Sequence, residues 1–290
     1  MFGLWLAFWC VLAAPAGASG AAGQLAAAAG LPAPIHELTH QASLFWGSAP
    51  NWYCRETLRQ RSAVIPGKPR RIHFSLPAAP STEPASREIV SWYGFSGYGQ
   101  NSEAIRELRE IVSVDGKAVS RHPAPDGFLK VLLGRDDVAR QSLVETFQST
   151  TIGDAPLDFG QLVMLFTRRS IERYTFTAAG QDLIGAERVV VYRYSQQTGS
   201  PGLHLDGNTT IPLTGAIYLR DSDSAPLRIS VTAVRKDKTE IRDESQVDYE
   251  EVTHGVILPA SLVHRRFVNG KLFAEDRAQY ADWKPVRPGR

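Results

Sequence analysis

Apolar and polar residues alternate along the last third of the chain. In the run SAPLRISVTAV, Leu227, Ile229, Val231 and Ala233 fall on one side, and Arg228, Ser230 and Thr232 on the other. A period of two marks a strand with one face in a core and the other in water. The run PASLVHRRFVNGKLFAEDRAQYADW holds two long strands about Asn269-Gly270, a pair suited to the positive φ values of a type I′ turn. A two-residue turn there sets His264 opposite Glu275 and Arg266 opposite Phe273. IERYTFTAA, ERVVVYRYSQ, TGAIYLRD and TEIRDESQVDYEEV read as further strands. The pattern is that of one large antiparallel sheet.

The first half mixes periods. PIHELTHQASLFWG reads as a short helix, with Pro34 in its first turn and Gly47 past its end. NWYCRETLRQRSAV and SREIVSWYGFSGY read as strands, and IHFSL as a short strand between Pro-rich loops. In SEAIRELREIVSVDGKAVS, Ile105, Leu108 and Ile111 fit a helix, but the Asp115-Gly116 turn signal favours a strand and hairpin. GRDDVARQSLVETFQST places Val138, Leu143, Val144 and Phe147 at helical spacing, with Asp136 and Asp137 at its start. PLDFGQLVMLFTRRS reads as a second, more apolar helix between Pro156 and the pair Arg168 and Arg169. Two helices therefore interrupt the strands.

Composition adds bounds. The 290 residues are 43% hydrophobic and carry 32 basic and 30 acidic side chains, a balance without the basic excess that nucleic-acid binding requires. The opening MFGLWLAFWCVLAA is apolar and leads through Pro15 to Ala16-Gly17-Ala18, a small-residue cleavage pattern. Residues 1–18 are expected to be a signal peptide, although it has no Lys or Arg at its start. With it removed, no integral membrane span is expected, and the protein is placed in the periplasm or secreted. Cys54 would then be the remaining cysteine, buried beside Trp52 and Tyr53. Residues 19–48 are expected to form a flexible segment with a short helix, and 49–286 a single β-rich domain.

Three stretches carry a resemblance. GAIYLRDSDSAPLRISV, QVDYEEVTHGVILPASLVHRR and NGKLFAEDRAQYADWK, within about residues 160–284, resemble the outer-membrane lipoprotein-sorting (LolA/LolB-like) group. The resemblance implies an α+β, mainly antiparallel β fold: a strongly curved half-barrel sheet with two or three helices packed on its concave side. It also implies a cavity for acyl chains and a partner that is a hydrophobic ligand or an envelope protein. Alternation and the apolar run nominate the lining: Leu162, Leu165 and Phe166 from the second helix, and Leu227, Ile229, Val231 and Tyr249 from the strands. Val247, Phe267, Leu272 and Tyr280 are expected on the same faces.

Candidate chemistry is sparse. His36-Glu37-Leu38-Thr39-His40 matches H-E-x-x-H, in which two histidines one helical turn apart chelate zinc and the Glu polarises water. Pro32 and Pro34 put it at a helix start, a third ligand would have to be a remote Glu such as Glu56, which nothing marks, and coincidence is the favoured reading. Asp136-Asp137 suits a helix cap, and Glu250-Glu251 would point to opposite faces of a strand. GFSGYG matches neither a nucleophile elbow nor a phosphate loop. The leading expectation is a non-enzymatic carrier without cofactor. The alternatives are a zinc-dependent hydrolase and a structural domain whose concave face is filled by its own side chains.

Overall fold

The computed structural model describes residues 31–63, 85–97, 105–119, 124–153, 156–197, 203–205, 209–236, 239–253 and 255–286. The expected signal peptide and the IHFSL strand lie outside them. The strands are β1 (Trp52–Ser62), β2 (Ala85–Gly97), β3 (Ile105–Val114), β4 (Lys117–Ala118), β5 (Tyr174–Ile184), β6 (Glu187–Gln196), β7 (Leu203–Leu205), β8 (Thr209–Ile211), β9 (Leu213–Arg220), β10 (Pro226–Lys236), β11 (Glu240–Thr253), β12 (Val256–Val268) and β13 (Lys271–Pro285). Eleven of them form one open, curved sheet in the order β4-β3-β2-β1-β13-β12-β11-β10-β9-β6-β5. Its strands pair antiparallel throughout, and β7 with β8 form a separate small hairpin. The last strand joins the first, so β13 seals the two halves of the chain into one sheet.

Alternation builds one buried face. Cys54, Glu56, Leu58 and Gln60 of β1 point to it, as do Val247 and Tyr249 of β11 and Asp276, Ala278 and Tyr280 of β13. The helix α1 (Ala33–Ser48) lays Ile35, Leu38, Ala42 and Phe45 on this face, all fully buried. Gly47, expected beyond the helix, lies within it. Phe45 meets the rings of Phe95 and Tyr249 at 5.2 and 6.5 Å. The helix therefore belongs to the same core as the sheet.

The helix α2 (Asp126–Leu133) was not legible as an element. Its Phe128 and Leu132 pack with Leu108 and Val286 in a second, smaller core on the other face of β3. The helix α3 (Asp137–Thr150) begins as expected, with the Asp136 carboxylate accepting from the backbone N–H groups of Val138 and Ala139, each at 3.0 Å. It serves both cores, sending Phe147 to the main one and Leu143 to the second. With both its faces covered, β3 loses the simple alternation of a half-buried strand.

Three readings are corrected. The run about Leu162–Phe166 is a five-residue 3-10 turn and not a long helix. The final hairpin has a bulge between Arg266 and Phe267, so His264 faces Asp276 and Arg266 faces Ala274. Phe267 is half-buried and Leu272 is 52% exposed, so they do not join Tyr280 in the core.

Candidate functional site

The nominated lining residues divide. Leu162, Leu165 and Phe166 are buried under the 3-10 turn, and Ile229, Val231 and Tyr249 are buried on the sheet face. Leu227 is half-buried, because a register shift between Pro226 and Arg228 turns Pro226 inward in its place. Tyr249 links the two groups: its hydroxyl accepts from the Val163 N–H at 3.0 Å. Six of the seven, all but Leu227, lie in one continuous apolar core.

The segment before the turn has no regular structure. Leu157, Asp158, Phe159 and Gly160 form a strap that is fully buried against the inner face. Asp158 adopts φ 60°, a left-handed conformation tolerated by a short polar side chain. Gly160 is required by contact: a Cβ there would lie 2.5 Å from the Tyr93 hydroxyl and 2.7 Å from Glu107 Oε1.

Polar side chains of the sheet hold this strap. Glu107 accepts from the Asp158 N–H at 3.0 Å through Oε2 and from the Gly160 N–H at 2.5 Å through Oε1. The Asp158 carboxylate returns the contact, accepting from the Glu107 N–H at 3.1 Å and pairing with Arg106 at 3.3 Å. Behind Glu107 lies Arg109, 2% exposed. Its guanidinium forks onto Glu56 at 2.7 and 2.9 Å and reaches Glu107 at 2.9 Å. The rings of Tyr93 and Phe147 flank it with centroids at 4.8 and 4.6 Å. Ser91 donates to Glu56 at 2.9 Å. Burial, the nearby Asp158 and Glu56 charges and only partial relief from Arg109 push the Glu107 carboxyl up to about 7. Burial likewise raises Asp158, and raises the tyrosines Tyr93 and Tyr280 that close over the cluster.

A second network flanks the strap. Phe159 stacks on the His264 ring with centroids 5.0 Å apart and planes at 24°. His264 Nδ1 lies 3.0 Å from Asp276, which accepts from Gln60 at 2.8 Å, and its Nε2 lies 3.4 Å from Asp243. Asp243 also accepts from Arg266 at 2.7 Å. Burial opposes the charged imidazole, but the neighbouring carboxylates Asp243 and Asp276 outweigh it and raise the His264 pKa. Register brings Ser245, His264 and Asp276 side by side on neighbouring strands. They do not form a catalytic triad: Ser245 Oγ has no hydrogen-bond partner, and the imidazole turns its second nitrogen to Asp243.

The H-E-x-x-H residues lie elsewhere. His36 and His40 are on the exposed side of α1, and His40 Nδ1 meets Glu37 at 3.0 Å. Glu56 is committed to Arg109. Among the described residues no group of three or more His, Cys, Asp or Glu side chains is placed to hold a metal ion.

Glu107, Arg109 and Asp158 escaped the sequence reading. One signal existed: in IRELREIV, charged residues occupy positions that share a face with Ile105 and Ile111. An acid and a base two apart on an apolar strand face are a candidate buried pair.

No protein-family model matches the chain, and no curated protein is significantly similar to it. Solved structures align with most of the chain at low similarity. A domain assigned to outer membrane lipoprotein sorting from Vibrio parahaemolyticus is 8% identical over 87% of this chain and 91% of its own, with a TM-score of 0.35. The LolA-superfamily protein NE2245 of Nitrosomonas europaea is 8% identical over 88% and 94%, with a TM-score of 0.34. A DUF1329-family protein of Desulfovibrio piger gives 8%, 87%, 93% and 0.34.

Proposed function

We propose that this chain is an exported, non-enzymatic carrier that binds an acyl-chain ligand on the inner face of its sheet, beneath the strap and the turn that follows it. The observation that carries this reading is the nature of the cover. An irregular strap and a five-residue turn overlie the inner face there, tied to the sheet by side-chain hydrogen bonds from Glu107 and Tyr249. Four apolar side chains of the turn are buried, Leu162, Val163, Leu165 and Phe166. Their burial is worth about 1.5–3 kcal/mol each. A buried acyl chain of about a dozen methylenes returns about 0.8 kcal/mol per methylene, a sum of the same order. Ligand and cover can therefore compete for one surface.

The export part of the proposal rests on the apolar run that ends at Ala18, and no described helix is long and apolar enough to cross a membrane. Delivery of the ligand to another component of the cell envelope would complete such a role. The experiment is a titration with a fluorescent fatty acid. Saturable binding is expected, and it should be abolished by Ile229→Trp, which adds bulk on the fully buried sheet face. Absence of saturable binding to the folded protein would leave the structural reading.

A further inference from the structure

The strap is fastened by a pair of acids. Glu107 and Asp158 each accept the other's backbone N–H, at 3.0 and 3.1 Å, and both are nearly inaccessible. The groups facing them can be named element by element. Glu56 of β1, Tyr93 of β2, Arg106 and Arg109 of β3, Tyr249 of β11 and Tyr280 of β13 surround the pair. Three of these side chains are carboxylates (Glu56, Glu107 and Asp158) and two are guanidinium groups. With the three carboxyls and two guanidinium groups ionised and the tyrosines neutral, the cluster holds one excess negative charge, with Arg106 alone of the five partly in water, and one bound proton makes it neutral.

We propose that this acid pair is a proton-controlled latch: the strap lies closed over the inner face when the pair holds a proton, and it loosens when that proton leaves. The inference rests on the carrier reading and assigns the regulation of that same site. The sign follows from linkage. Opening carries Asp158 away and brings water to Glu107, so the carboxyls of the open form return toward their ordinary range. The closed form holds Glu107 at about 7, against 4.5 for the free group. It therefore binds the proton more tightly and is favoured by acid. Asp158, raised by burial and freed by opening, acts in the same direction. His264 acts the other way and partly offsets the switch: Phe159 helps to cover the imidazole, so opening relieves the burial that disfavours its charged form, while its partners Asp243 and Asp276 stay on the sheet. From about pH 5.5 to about pH 8, Glu107 alone should raise the opening constant by up to about 30-fold if it rehydrates fully.

The test is hydrogen exchange in the ligand-free protein, with rates corrected for the intrinsic pH dependence of exchange. Amides of residues 157–163 should lose protection by that factor between the two pH values, while those of Ile229 and Val231 in β10 hold theirs. Glu107→Gln, and separately Asp158→Asn, should flatten the strap's response. Should neither variant fold, the contrast between strap and β10 in the natural protein still decides. Constant strap protection, or loss shared equally with β10, would overturn the latch. A flat exchange profile with saturable fatty-acid binding removes the latch and leaves the carrier. A pH-dependent strap with no binding at either pH leaves the latch and removes the carrier.

Discussion

Replacing Arg109 by Met should expose the cost of the buried cluster and its pH dependence together. The natural guanidinium neutralises Glu56 through two hydrogen bonds and Glu107 through a third contact, with 2% of its surface in water. Met keeps most of the volume between the Tyr93 and Phe147 rings, so packing is nearly conserved. What changes is charge. Two carboxylates, each fully buried, are left without their shared cation, and breaking such a buried pair costs about 3–5 kcal/mol. The loss should be largest at about pH 8 and should shrink at about pH 5.5, because protonation of Glu107 removes part of the uncompensated charge. Urea unfolding at both pH values, followed by tryptophan fluorescence, measures it. A loss under about 1 kcal/mol at pH 8, or an equal loss at both, would refute a buried charge cluster as the origin of the effect.

Other perturbations test separate contacts. Gly160→Ala should push the strap off Glu107 and the Tyr93 hydroxyl, costing about 1–3 kcal/mol in thermal unfolding; an unchanged melting temperature would contradict the contact. The raised His264 pKa means its charged form stabilises the fold below pH 6.5, a contribution lost as pH rises through the folded value. His264→Gln should therefore flatten the stability profile above pH 6.5, and a parallel profile would count against the carboxylate pairing. Purified protein should hold far less than one zinc per chain by elemental analysis, and the double change His36→Ala, His40→Ala should leave stability nearly unaltered. One tight zinc lost in that variant would favour the hydrolase.

The long strands were legible because one face is wet. β10, β11 and the last hairpin alternate clearly, and Asn269-Gly270 marks the final turn with φ of 49° and 77°. Bulges were not legible, since the register shift near Phe267 depends on how the sheet coils and not on local composition. LVMLF was misread because a dense apolar run fits helix and buried coil alike. Helix geometry is excluded just before it by Asp158 and by the close approach at Gly160, both set by contacts with β3. The acid pair was hidden for the same reason: Glu107 and Asp158 are 51 positions apart, and no local pattern joins them.

The central claim is that an acyl chain and the strap compete for one face of the sheet. The most direct measurement is methyl and amide NMR during titration with a medium-chain fatty acid. The account predicts saturable shifts at Leu162, Val163, Ile229 and Val231, with loss of the Gly160 and Val163 amide hydrogen bonds to Glu107 and Tyr249. Shifts confined to exposed residues such as Leu183 and Leu272, with the strap amides unmoved, would contradict it.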